Sequence, residues 1–106
     1  ISGLTLNPEL DGCRNCFWLY CILVEEEGFG MDSRELMKKL NAVRIDARPF
    51  WKPIHTMPMY EGCDSTDLSD SIWLWERGLN LPSSVGLTEK QQDRVISEIR
   101  SAAGAD

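Results

Sequence analysis

The sequence predicts an α+β fold in which about three strands form a small sheet and the helices pack on one face of it. Segments with strand-like and helix-like patterns alternate along the chain, and the last strand segment is short. The helical segments carry narrow apolar stripes, which can cover only one face of a sheet. At 106 residues the chain is long enough for one hydrophobic core, so residues 1–106 are expected to form a single domain.

The first strand is predicted at residues 16–24, a run of aromatic and β-branched residues without polar alternation. Such a run is typical of a strand at the centre of a sheet that is covered on both faces. Because the helices are expected to cover one face only, the other face is expected to meet something outside this chain. Three consecutive glutamates follow the strand and predict a solvated turn.

A helix is predicted to begin after Asp32, which stands at the N-cap position with Glu35 three residues later. Met31 and Leu36 have the spacing of a hydrophobic staple around this start. Beyond the helix, apolar and polar residues alternate at residues 43–47. This period of two predicts a second strand with one buried face.

Two more helices and a short strand complete the pattern. Residues 66–77 repeat apolar side chains with a helical period, and Gly78 stands where a C′ glycine would end that helix. Residues 79–81 are the short strand. Thr88 and Gln91 have the spacing of a capping box for the last helix. The side chains that this helix is expected to bury are Val95, Ile96, Ile99 and Ala102.

Charge and composition exclude several classes of partner. The formal net charge is -6 and the basic residues are dispersed, whereas nucleic-acid binding needs clustered Lys and Arg. No segment approaches the roughly 20 apolar residues that a membrane span requires. Nothing at Ile1 resembles a secretion signal. We therefore expect a soluble, cytoplasmic chain that binds neither nucleic acid nor membrane.

The four cysteines offer half of a zinc site. Cys13 and Cys16 have the Cys-x-x-Cys spacing, but Cys21, Cys63 and His55 provide no second pair. Cys16 also leads into a strand-like run, which does not activate a thiolate as a helix N-terminus does. The expected state is therefore reduced, partly buried thiols with no bound metal. A zinc-binding module is kept as an alternative.

Residues 48–55 (Arg-Pro-Phe-Trp-Lys-Pro-Ile-His) have the most distinctive chemistry in the chain. They concentrate two cations, two aromatic rings, two prolines and the only histidine. The prolines fix their own φ angles and disfavour helix at the residues before them, which predicts a stiff loop that presents its side chains. A simple connection needs none of this chemistry, so this loop is the candidate binding segment.

The order of several motifs adds a family resemblance. The motifs lie at residues 17–24, 33–36, 45–55, 58–60, 78–84 and 87–89, and the pattern Arg-Pro-x-Trp-x-Pro-x-His with Leu-Pro-Ser-Ser downstream is the most specific. Together they resemble the C-terminal small domain of the DegT/DnrJ/EryC1/StrS aminotransferases over nearly the whole chain. Residues 57–60 and 67–69 are most similar to the branch that acts on nucleotide-linked 4-keto sugars of the legionaminate and bacillosamine type.

The resemblance implies an enzyme of the fold-type-I (aspartate aminotransferase) class that uses pyridoxal phosphate (PLP). It implies transfer of an amino group from glutamate to a keto-hexose on a nucleotide carrier by a homodimer. In this family the Schiff-base lysine, the acid facing the pyridine nitrogen and the phosphate donors lie in a larger N-terminal domain. None of Lys38, Lys39, Lys52 and Lys90 matches that lysine. The chain alone is therefore expected to bind no PLP, to have no catalytic residue and to need the large domain or a second subunit.

The resemblance also places the loop of residues 48–55 beside the sugar nucleotide, which makes Arg48, His55, Trp51 and Lys52 the candidate substrate-binding residues. Arg offers a fork of donors to phosphate, His a donor or acceptor to a hydroxyl, and Trp a flat face to a ring. Each has an ordinary alternative. Arg48 can pair with Asp46, His55 can bond a loop carbonyl, and Trp51 can be a packing anchor.

Two further alternatives remain open from the residues alone. Ser83 and Ser84 can contact phosphate, although forming a turn after Pro82 is the simpler role. The whole chain can also be a stand-alone binding or oligomerisation module that descends from the aminotransferase domain and binds no cofactor. Its uncovered sheet face would then drive self-association, because large apolar patches seldom stay bare on a monomer.

Overall fold

The computed structural model describes residues 1–104, which form one four-stranded antiparallel sheet with four helices and two 3₁₀ turns. The order in the sheet is β1-β2-β4-β3. The elements are β1 (Leu4–Leu6), β2 (Tyr20–Val24), α1 (Glu26–Phe29), α2 (Ser33–Ala42), β3 (Arg48–Pro49), the 3₁₀ turns Ile54–Thr56 and Pro58–Tyr60, α3 (Ser69–Arg77), β4 (Gly78–Leu81) and α4 (Glu89–Ala102). The α+β class is confirmed, but the sheet has four strands where three were expected.

The additional strand is β1, which pairs antiparallel with β2 from Leu4 opposite Val24 to Leu6 opposite Ile22. Three residues are too few for a period to be recognised in the sequence. As predicted, β2 is an inner strand, with β4 on its other side. Its Ile22 and Val24 are buried whereas Cys21 and Leu23 are only half-buried, so residues 1–104 cover one face of the strand more completely than the other. The cover expected from outside the chain stays a prediction.

The strand β2 begins four residues later than predicted because the chain turns at Phe17. The φ angle of Phe17 is 49°, and its N–H donates to the side-chain oxygen of Asn15 at 2.9 Å. This turn breaks the extended run that residues 16–24 suggested. The aromatic residues before Tyr20 therefore lie in the approach to the sheet and not within it.

The strand predicted at residues 43–47 is wrong in position, since β3 contains only Arg48 and Pro49. Arg44 adopts a left-handed φ of 62°, and the side-chain amide of Asn41 binds both backbone groups of Ala47, at 3.0 and 3.2 Å. An asparagine side chain thus takes the bonds that a neighbouring strand would have supplied. Ile45 and Ala47 are nevertheless buried, as their alternation suggested.

The starts of α2 and α4 follow the sequence closely, whereas α1 replaces the turn predicted at the glutamates and α3 begins at Ser69, three residues after the predicted start. The Asp32 carboxylate accepts the N–H of Glu35 at 2.8 Å, and Thr88 and Gln91 form the complete capping box of α4. From these starts, α2 and α4 contribute to one core with the buried face of β2 and β4. Ile96 is 48% exposed, so its predicted burial is wrong. The core residues are Ile22, Val24, Phe29, Met31, Leu36, Leu40, Ile45, Ala47, Leu79, Leu81 and Ile99.

Gly78 is not the left-handed helix end that its position suggested. Its φ of −79° and ψ of 134° are extended, and α3 passes directly into β4 without a connecting loop. A side chain is excluded here for a different reason. A Cβ atom on Gly78 would lie 2.3 Å from carbon atoms of the Phe50 ring. Gly78 therefore allows the loop after β3 to pack closely against the sheet.

No helix within residues 1–104 is both long and apolar enough to cross a membrane. The cytoplasmic location stays a prediction.

Candidate functional site

The candidate loop is tied to the sheet at its start and to itself further on. After β3, the N–H of Phe50 donates to the carbonyl of Gly78 at 3.4 Å, and the Phe50 ring packs over the same glycine. The Thr56 hydroxyl donates to the carbonyl of Pro53 at 2.7 Å. The two prolines and these bonds give the stiff loop that the sequence predicted.

The loop forms one wall of an open groove with a volume of about 960 Å³. Trp51 and His55 lie on this wall, and the groove is also lined by residues 60–66 and by Leu74 and Trp75 of α3. Arg48 and Lys52 do not line the groove. The structure thus brings two of the four candidate residues together at one cavity and leaves the two cations at its outside.

Arg48 forms the ion pair with Asp46 that was its ordinary alternative. The guanidinium Nε lies 3.2 and 3.1 Å from the two carboxylate oxygens, and one terminal nitrogen lies 2.8 Å from Oδ2. The hydrogen bond from Arg48 lowers the pKa of the Asp46 carboxyl, and the same bond raises the pKa of Arg48. Both side chains are exposed, so the pair adds little to stability. Its main effect is to hold the guanidinium in one orientation.

Neither His55 nor Trp51 has the ordinary structural role that was its alternative. The half-buried imidazole of His55 makes no hydrogen bond to any residue from 1 to 104, so both ring nitrogens are available to a ligand. Trp51 is 73% exposed and is therefore no core anchor. Its ring lies beside that of Trp18, with the two centroids 6.1 Å apart and the planes tilted by 47°.

The sequence reasoning missed Trp18, which is also 73% exposed. Its place in an aromatic run predicts a strand, and the turn at Phe17 that leaves Trp18 outside the sheet has no signal of its own in the sequence. The Ser83 hydroxyl donates to the carbonyl of Trp18 at 2.9 Å. This serine therefore has a structural role on the backbone.

Among the described residues, no three His, Cys, Asp or Glu side chains lie together as a metal site requires. Cys13, Cys16 and Cys63 are exposed and Cys21 is half-buried, all as free thiols. Burial raises the pKa of the Cys21 thiol. This direction is the opposite of the depressed pKa that a redox-active thiolate needs.

A comparison with protein families identifies the family of the chain. The description "DegT/DnrJ/EryC1/StrS aminotransferase family" fits residues 1–100. The chain belongs to this family. Members of the DegT/DnrJ/EryC1/StrS family are PLP-dependent aminotransferases, and the resemblance seen in the motifs is confirmed.

The chain is similar to only part of each related protein. It is 37% identical to GDP-perosamine synthase from Caulobacter vibrioides over 86 residues, which are 81% of this chain and 23% of that protein. It is 34% identical to GDP-perosamine synthase from Vibrio cholerae over 104 residues, which are 95% of this chain and 28% of that protein. The chain therefore spans about a quarter of the length of these relatives.

A solved structure of the family has the same fold. The DegT/DnrJ/EryC1/StrS aminotransferase from Brucella abortus superposes with a TM-score of 0.83 at 27% identity. The superposition covers 96% of this chain and 26% of that one. The small α+β unit described here is thus a part that larger family members contain.

The residues described here do not fit the cofactor of the family. PLP enzymes hold the aldehyde on a lysine inside the active site, beside an acid for the pyridine nitrogen and donors for the phosphate. The four lysines, Lys38, Lys39, Lys52 and Lys90, are all exposed, and none lines the groove. Residues 1–104 therefore bring no lysine to the groove that could hold the cofactor.

Proposed function

We propose that this chain is the substrate-side small domain of a PLP-dependent aminotransferase that moves an amino group from glutamate to a nucleotide-linked 4-keto sugar. The observation that carries the proposal is the family match over residues 1–100, combined with relatives about four times as long. The two relatives named GDP-perosamine synthase support a nucleotide sugar as the substrate class.

The proposal divides the enzyme into two parts. Residues 1–106 form one domain that closes over the substrate, and the Schiff-base lysine and other cofactor contacts come from a large domain or a second subunit. The exposure of all four lysines and their absence from the groove support this division. The chain alone is then catalytically incomplete, and the active assembly is a homodimer as the family resemblance implies.

Within the domain, the loop of residues 48–55 supplies the substrate contacts. His55 faces the groove with both ring nitrogens available, so it binds a sugar hydroxyl or the keto oxygen. Arg48 and Lys52 stand outside the groove, where they receive the diphosphate. The Asp46 carboxylate keeps the Arg48 guanidinium extended until a phosphate takes its place, since both groups accept the same pair of parallel N–H bonds.

The test uses the complete natural polypeptide that contains these residues. With PLP, glutamate and a nucleotide-linked 4-keto-6-deoxyhexose, it should form 2-oxoglutarate and the amino sugar, which mass spectrometry detects. Arg48→Ala and His55→Ala should each raise the KM for the sugar nucleotide about 10-fold or more and leave the Schiff-base absorbance unchanged, because a charge-assisted hydrogen bond contributes roughly 1.5–3 kcal/mol. Lys90→Ala, on the exposed face of α4, is the matched control. Unchanged kinetics in both loop variants would remove these residues from the site.

A stand-alone association module is the second candidate, and one feature favours it. An apolar groove of about 640 Å³ lies between β1 and α4, where Leu6 and Ile96 are about half exposed. An association module would bury this groove against a second copy. Sedimentation of wild type and of Ile96→Ser measures this directly. Self-association that depends on Ile96, with no amino transfer by the complete polypeptide, would replace the aminotransferase proposal.

A further inference from the structure

The two exposed tryptophans form one surface feature at the mouth of the candidate site. Trp18 and Trp51 come from segments far apart in the sequence, yet their ring centroids are 6.1 Å apart and each residue is 73% exposed. Tryptophan presents the largest flat apolar face of any side chain, so two adjacent exposed ones have much to gain from burial by a ligand.

The exposure of this pair is built into the backbone around it. Phe17 adopts a positive φ of 49°, which is a rare conformation for a bulky residue, and the Asn15 side chain holds that turn. The Ser83 hydroxyl fixes the carbonyl of Trp18. Trp51 follows Phe50, whose ring and N–H are both anchored on Gly78. Strained backbone that is held by several contacts is concentrated at functional sites.

The segments that carry the pair lack acidic residues, although the chain as a whole is acidic and Glu61 and Asp64 line the groove beside Trp51. The segments of residues 12–24 and 47–60, which carry the two tryptophans, contain no Asp or Glu, while the chain has 17 acidic residues and a net charge of -6. Their cations are Arg14, Arg48 and Lys52. Arg48 is paired with Asp46, whereas Lys52, next to Trp51, forms no ion pair with any described residue. An aromatic surface beside a free cation suits a flat ring that carries phosphate.

We propose that Trp18 and Trp51 form a stacking platform for the nucleobase of a nucleoside diphosphate, with Lys52 receiving the attached phosphates. This inference rests on the function proposed above and adds to it the position of the base and a role for Trp18. A ring cannot enter between the two indoles, because a sandwich needs about 7 Å between parallel planes and these planes are tilted. The base therefore stacks on the outer face of one indole and against the edge of the other.

The experiment measures binding and not turnover. GDP, UDP and guanosine are titrated calorimetrically at low salt into the complete natural polypeptide that contains these residues. Trp18→Ala and Trp51→Ala should each weaken GDP binding roughly 5- to 100-fold, and Trp18→Phe should retain most of it. Lys52→Met should weaken GDP and leave guanosine unchanged, since only GDP carries phosphate. Trp73→Ala is the matched control, because Trp73 is a 41% exposed tryptophan of α3 that does not line the groove.

The outcomes separate this inference from the function on which it rests. GDP binding that is unchanged in both Trp18→Ala and Trp51→Ala would overturn the platform and leave the nucleotide-sugar substrate standing. Wild type that binds no nucleotide would overturn both. If Trp18→Ala instead abolishes concentration-dependent self-association and leaves GDP binding intact, the pair is a protein contact and the inference is wrong. Trp51→Ala, which leaves the turn at Phe17 untouched, keeps the test decisive if Trp18→Ala does not fold.

Discussion

Replacing Gly78 with alanine tests how closely the candidate loop is held against the sheet. The backbone of Gly78 is extended, so alanine meets no conformational penalty there. The new Cβ would lie 2.3 Å from two atoms of the Phe50 ring, and the ring must retreat by about 1 Å to reach ordinary van der Waals contact. Overpacking of this kind typically costs about 1–3 kcal/mol. Because Phe50 is only half-buried and has room to move outward, we expect a cost of about 1–2 kcal/mol.

Urea unfolding followed by circular dichroism measures this cost. Gly86→Ala is the control, since Gly86 has no atom within 4 Å of its added Cβ and no positive φ, and its stability should change by less than about 0.5 kcal/mol. In a Phe50→Ala background, Gly78→Ala should cost about 0.5–2 kcal/mol less than in wild type, because the clashing ring is gone. Equal costs in the two backgrounds would refute the steric explanation.

Three other predictions follow from individual groups. Asp32→Ala removes the N-cap of α2 and should lower the unfolding free energy by about 1 kcal/mol, with Asp32→Asn close to wild type in the same urea experiment. The hydrogen bond from Arg48 lowers the pKa of Asp46, so its contribution to stability is present above the ordinary aspartate pKa and is lost as the pH falls through the lowered value. Arg48→Ala should therefore raise the pKa of Asp46 in an NMR titration, and an unchanged pKa would show that the pair does not persist in solution. Burial raises the pKa of Cys21, so it should react with a disulfide reagent more slowly than the three exposed cysteines, and equal rates in the folded chain would contradict its position.

Local chemistry made the starts of α2 and α4 predictable, whereas α1 was not predicted. Asp32 and Thr88 act through backbone groups only three residues away, so spacing alone identified both caps. The strands depended on partners that no local pattern shows. β1 is defined by its pairing with β2, and the segment before β3 is kept out of the sheet by the side chain of Asn41. Gly78 was expected as a C′ glycine, but its role is to make room for Phe50, which is distant in sequence.

The candidate site was predictable in composition and only partly in geometry. Two prolines and a dense set of functional groups identified the loop, and the structure confirms that it is an ordered wall of a groove. The contact between Trp51 of this loop and Trp18 depends on a turn at Phe17 and on a hydrogen bond from Ser83. Neither of these features can be recognised from a local sequence pattern. The assignment of Arg48, Trp51, Lys52 and His55 to a substrate stays a prediction.

The two-residue strand β3 also determines on which side this sheet can grow. The N–H of Phe50 points inward to Gly78, so the N–H of the preceding residue would point outward, and that residue is Pro49, which has none. Proline on an edge strand blocks pairing with a strand from another molecule. The opposite edge, β1, has no proline and carries the exposed Thr5 and Leu6. Edge-to-edge aggregation of this domain is therefore confined to β1, where a charged substitution such as Thr5→Lys would suppress it.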